Sequence, residues 1–130
     1  MRDQPSGDLL LETARDLLRE EIIPALSGSQ RHGALMIANA MSIAMRQLKS
    51  GDDAEREELA ALRKILSLRD SEGTSLQESL VDANRRLCRL IRAGGADAGN
   101  THDEVRDLLL RTTRQRVSIS SPKYLEGLAR

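Results

Sequence analysis

The chain has 130 residues, 20 basic and 20 acidic, so its formal net charge is zero and it carries no global field for nucleic acid or an anionic membrane. Hydrophobic residues make up 39% and charged residues 31%, a balance that fits one soluble domain with a core of its own. It contains one tyrosine, Tyr124, and no phenylalanine or tryptophan. The core therefore has to be built from Leu, Ile, Val, Met and Ala, which suits closely packed helices and suits strands poorly.

Residues Asp8 to Ile22 place Leu10, Ala14, Leu17, Leu18 and Ile22 at steps of three and four between charged residues, the pattern of an amphipathic helix. Ser6 is placed to cap its start, and Pro24 to close or kink its end. The short connector Ala25 to Ser29 predicts an antiparallel hairpin with the second helix, about Gln30 to Lys49. Ten apolar residues between Leu35 and Leu48 cover well over half of that helix, so it is expected to be the central, most buried element. Its polar remainder gathers Arg31, His32, Asn39, Ser42, Arg46 and Lys49 into one stripe.

A third helix is expected over about Ala54 to Leu66, with Leu59, Leu62, Ile65 and Leu66 inward and Asp52 and Glu55 spaced as a capping box. A polar linker, Arg69 to Thr74, leads to a second such box, Ser75 and Glu78. The fourth helix then runs to about Ala93 with Leu76, Leu80, Ala83, Leu87, Leu90 and Ile91 inward, and Gly94-Gly95 stops it. Thr101 and Glu104 form a third box ahead of a fifth helix that turns Val105, Leu108, Leu109 and Thr112 inward until about Ser118. Pro122 predicts an extended tail that docks Tyr124 and Leu125. The expected architecture is all-α: a single-domain helical bundle of four long helices plus one shorter helix over residues 1–130, with flexible ends at about 1–6 and 120–130.

The chemistry in the sequence is sparse. His32 and His102 lie 70 positions apart without a partner at helical spacing, so no metal site is expected, nor any cofactor. No catalytic residues can be assembled into a nucleophile, base and orienting group, which argues against catalysis by this chain alone. Four arginines, Arg85, Arg86, Arg89 and Arg92, make the fourth helix basic on one face, and Arg111, Arg114 and Arg116 extend this. Without aromatic residues there is no stacking platform, and pairing to Glu78, Asp82 and Asp107 accounts for these charges better than nucleic acid does. Cys88 reads as a small packed hydrophobe. Asn84 reads as a satisfied amide or a register-setting residue, and Arg116 as reaching a carboxylate or snorkelling outward. The remaining candidate is the stripe of Arg31, His32, Asn39 and Arg46, either a small-anion or acyl-phosphate site or the wetted face of a buried helix.

The run of Ile23-Pro24-Ala25-Leu26-Ser27-Gly28, Ala38-Asn39-Ala40, Asn84-Arg85-Arg86-Leu87, Ile91-Arg92-Ala93-Gly94 and Ser121-Pro122-Lys123-Tyr124-Leu125 resembles a family of small bacterial all-helical proteins of unknown function. Members of that family are commonly encoded beside aminoglycoside-phosphotransferase-like kinases and acyl-CoA dehydrogenases. The resemblance implies a setting in acyl-CoA or related carboxylic-acid metabolism and assigns no functional residue. The expected role is a cytoplasmic, non-catalytic accessory protein that forms a homo-oligomer or binds a metabolic enzyme such as that kinase or dehydrogenase, with no nucleic-acid or membrane partner. The lone cysteine excludes an internal disulfide, and the longest apolar stretch, Ala34 to Ala38, is far too short to span a bilayer.

Overall fold

The computed structural model describes residues 4–69 and 73–128. Its elements are α1 (Gly7–Leu17), a π-helical turn (Leu18–Ile22), α2 (Ile23–Ala25), α3 (Gly28–Ser50), α4 (Asp53–Leu66), α5 (Leu76–Arg92), α6 (Gly99–Ser120) and α7 (Pro122–Leu128). Among the described residues there is no strand, and the protein is all-α as its composition requires. The chain groups into two compact units, Met1–Gly51 and Asp52–Arg130.

The first unit is a hairpin of α1–α2 against α3. Pro24 does not end the first helix at Ile23. Instead, the turn ahead of it opens to π geometry, with the Ile23 amide bonded to the Leu18 carbonyl, and the helix runs on to Ala25. The wider turn makes room for a ring that would otherwise press on the carbonyl four residues back. Ser6 occupies the N-cap position without bonding a backbone amide, and its hydroxyl donates to Asp8 Oδ1 at 2.6 Å. What is buried between the helices is mostly small: Ile23, Ala34 and Ala38, with Leu18 and Leu26 packed against them.

The second unit has a fuller core. Leu59 and Leu62 of α4, Leu80, Ala83 and Leu87 of α5, and Val105 and Leu108 of α6 form one buried cluster, closed by Ala96 from the α5–α6 loop. Ser75 and Glu78 make the predicted capping box, the Glu78 amide donating to Ser75 Oγ and the Ser75 amide to Glu78 Oε2. The other two boxes do not form. Asp52 makes no side-chain cap, and α6 begins two residues ahead of Thr101, with Ala98 at its N-cap. At the end of α5, Gly94 adopts φ +77° and its amide bonds to the Ile91 carbonyl while the Gly95 amide bonds to Leu90, the paired bonds of a Schellman motif. Ser67 takes the left-handed position after α4, at φ 52°, with the same pair of bonds. The tail is not extended: Pro122 opens α7, where its missing amide proton is harmless. Leu125 is half-buried and Tyr124 is 61% exposed. Of the polar linker predicted at Arg69 to Thr74, residues 70–72 lie outside the described residues.

Candidate functional site

The hairpin of the first unit has two unlike faces. At 100° per residue, Leu10, Ala14 and Leu17 fall on one side of α1, away from its contact with α3, and Ile37, Met41, Ala44 and Leu48 fall on the same side of α3. The antiparallel pairing holds them together: a Cβ at Gly7 would lie 3.5 Å from Leu48 Cδ1. Most of this apolar side is open. Leu10, Leu17, Ile37 and Leu48 are 50–56% exposed. The expectation that the second helix is the central, most buried element does not extend to its whole apolar surface within its own unit: Ala34, Ala38, Ser42 and Met45 are buried, whereas Leu35, Met36, Ile37 and Leu48 are exposed. The reason is that a hairpin supplies one neighbour, and α3 is apolar on more sides than one neighbour can cover.

The polar stripe runs along the opposite side. Lys49 Nζ there meets Glu12 Oε2 of α1 at 3.9 Å. Arg31, His32 and Asn39 are exposed, Arg46 is half-buried, and Ser42 is buried with its hydroxyl donating to the Ala38 carbonyl at 2.9 Å. The four candidate residues lie on one helix, and at a rise of 1.5 Å per residue His32 and Arg46 are about 21 Å apart along its axis. A single small anion can therefore engage one end of the stripe or the other, but not both.

In the second unit three polar side chains that the sequence scatters over 58 positions meet, two of them donating to the carboxylate of the third. Glu58 Oε1 accepts from Asn84 Nδ2 at 3.1 Å and from Arg116 Nη2 at 3.4 Å. The Glu58 side chain is 11% exposed and that of Arg116 72%, so the carboxylate is the sheltered partner and the guanidinium covers it from the solvent side. Asn84 also donates to the Leu80 carbonyl at 3.1 Å. This cluster ties α4, α5 and α6 together, and it resolves both open readings: Asn84 is a satisfied amide, and Arg116 reaches a carboxylate. Glu58 itself was hidden in the acid-rich start of its helix. The signal for it was its position one turn before Leu62, the most buried leucine.

The remaining groups are dispersed. Arg86 pairs with Asp82 at 2.7 Å within α5, and Lys64 with Glu104 at 3.0 Å between α4 and α6. Cys88 is exposed rather than packed, because the inward positions of α5 are taken by Leu80, Ala83 and Leu87. His102, in the first turn of α6, lies with Nδ1 3.0 Å from the Ala96 carbonyl, which pins the loop residue that closes the core. An open groove along α6 and α7 is lined by Leu110, Arg111, Arg114, Ser118 and Leu125. Among the described residues no three His, Cys, Asp or Glu side chains are grouped to hold a metal ion, and no helix is long and apolar enough to cross a membrane.

Among the described residues, an open apolar face on a helical hairpin and a carboxylate shared by three helices define the class structurally. The chain belongs to the family described as a domain of unknown function, DUF6285, which matches residues 24–124. No curated protein and no solved structure matches it.

Proposed function

We propose that this protein is a non-catalytic interaction module, an accessory to acyl-CoA or related carboxylic-acid metabolism, and that it docks through the apolar face of its α1–α3 hairpin. One observation carries the reading. Leu10, Leu17, Ile37 and Leu48 are large apolar side chains gathered on one side of two packed helices, each about half exposed. Contiguous apolar surface rimmed by charge is the mark of an association site, because leaving it in water forgoes the main driving force of packing. The metabolic setting is supported by the resemblance to small bacterial proteins encoded beside phosphotransferase-like kinases and acyl-CoA dehydrogenases.

The test is affinity capture of the tagged protein from its native cells, compared with the same protein carrying Leu10→Glu. Stoichiometric recovery of the dehydrogenase or the kinase by the wild type, lost in the variant, is the expected result. Absence of both enzymes from the wild-type eluate removes the proposed accessory role.

A further inference from the structure

The groove along α6 and α7 lies wholly within the second unit, and its chemistry is unlike that of the hairpin's apolar face. Its volume is about 630 Å³, within the roughly 300–1,000 Å³ of small-molecule sites. One face of α6 forms its floor, where Asp107, Arg111, Arg114 and Ser118 follow one another at steps of four, three and four residues. The opposite wall exists because Pro122 opens a new helix directly after Ser121, and α7 sets Leu125 against the same groove.

Charge in this groove is unbalanced. From Leu108 to Leu125 the chain carries Arg111, Arg114, Arg116 and Lys123 and no acidic residue. Arg116 is turned to the other side of α6, 3.4 Å from Glu58, whereas Arg111 and Arg114 make no ion pair among the described residues. The one carboxylate in the lining, Asp107, sits a turn before Arg111 and lies 3.4 Å from Arg106. Two guanidiniums one turn apart repel each other. An oxyanion between them removes that repulsion and accepts charge-assisted hydrogen bonds from both. Beside the pair, Leu110, 42% exposed, and half-buried Leu125 offer aliphatic surface that a bare inorganic ion leaves in water. We infer that the α6–α7 groove binds a small organic oxyanion with an aliphatic body, its phosphate or carboxylate head between Arg111 and Arg114 and its chain against Leu110 and Leu125.

Isothermal titration calorimetry of the full-length protein with hexyl phosphate, hexanoate, inorganic phosphate and hexanol tests this. Saturable one-to-one binding of at least one hexyl anion is expected, about tenfold or more tighter than inorganic phosphate and hexanol, each of which supplies half of the recognition. The tighter of the two hexyl anions identifies the head. Arg111→Ala and Arg114→Ala are each expected to weaken that binding about tenfold or more, with unchanged helical circular dichroism because both side chains are exposed. Leu125→Ala is expected to weaken the hexyl anion and leave inorganic phosphate unaffected. Arg89→Ala, an exposed arginine on α5 outside the groove, is the control and is expected to bind as the wild type does. Absence of saturable heat with both hexyl anions at about 10 mM, tenfold above a millimolar dissociation constant, overturns the inference. So does a hexyl anion bound no tighter than inorganic phosphate, binding that survives in the Arg111→Ala/Arg114→Ala double variant, or an equal loss in Arg89→Ala. The accessory role is tested on the other unit, through Leu10, so either result stands without the other.

Discussion

Glu58 shows how much a single side chain can carry. Its carboxylate is 11% exposed and accepts from Asn84 and Arg116, so truncating it leaves a sheltered amide group and an exposed guanidinium without their shared acceptor. Glu58→Ala is expected to lower stability by about 1–3 kcal/mol in urea unfolding, with Glu58→Gln milder because it keeps an acceptor oxygen in place. Replacing Arg116 should matter less, since its end of the pair is open to solvent. The capping box yields a pH signature. Hydrogen bonds from the Ser75 side chain and backbone hold the Glu78 carboxyl below the usual glutamate range. A group with a depressed folded pKa stabilises the fold above its unfolded value, and that contribution is lost as pH falls through the folded one. The stability difference between wild type and Glu78→Gln should therefore be full at neutral pH and shrink on acidification. Unfolding midpoints measured from pH 7 to pH 3 that keep a constant separation would contradict it.

Among the elements, the helix ends are where sequence and structure part. The helix interiors were readable because Leu, Ala, Arg and Glu recur at helical spacing, and Ser75-x-x-Glu78 was readable because both halves of the box are present. Asp52 and Thr101 carried the same spacing without forming a cap, since a capping box is a local option that a helix start one or two residues away removes. Pro122 misled in the other direction: it marks the first turn of α7 as readily as an extended tail. Two ends give opposite predictions. Gly94 holds φ +77° in its Schellman motif, so Gly94→Ala is expected to cost about 1–2 kcal/mol by forcing a Cβ into the left-handed region. Ser67 already bears that strain at φ 52°, and Ser67→Gly is expected to raise stability by about 1 kcal/mol. Thermal melts of the two variants should move apart, the glycine variant up and the alanine variant down.

For the molecule as a whole, the all-α class followed from composition, but which apolar stripe is core and which is surface did not. Periodicity identifies a stripe on α1 and near-continuous apolarity on α3. It does not say how many neighbours will arrive to cover them, and that number separates Leu62, fully buried, from Leu10 and Leu17, half exposed. The polar stripe of Arg31, His32, Asn39 and Arg46 was visible as a face for the same reason, whereas the Glu58 cluster, assembled from three helices, was not. Truncation should expose the contrast. Leu62→Ala is expected to destabilise by about 2–5 kcal/mol, while Leu10→Ala should barely move the unfolding of the protein at concentrations too low for association. The lack of aromatic side chains also decides how such experiments can be watched. Tyr124, 61% exposed on α7, is the chain's one ultraviolet fluorophore of note, and it looks onto water from a terminal helix. Its emission should stay nearly flat while the leucine core melts, so an optical trace that changes early reports the release of α7 and not the loss of the fold.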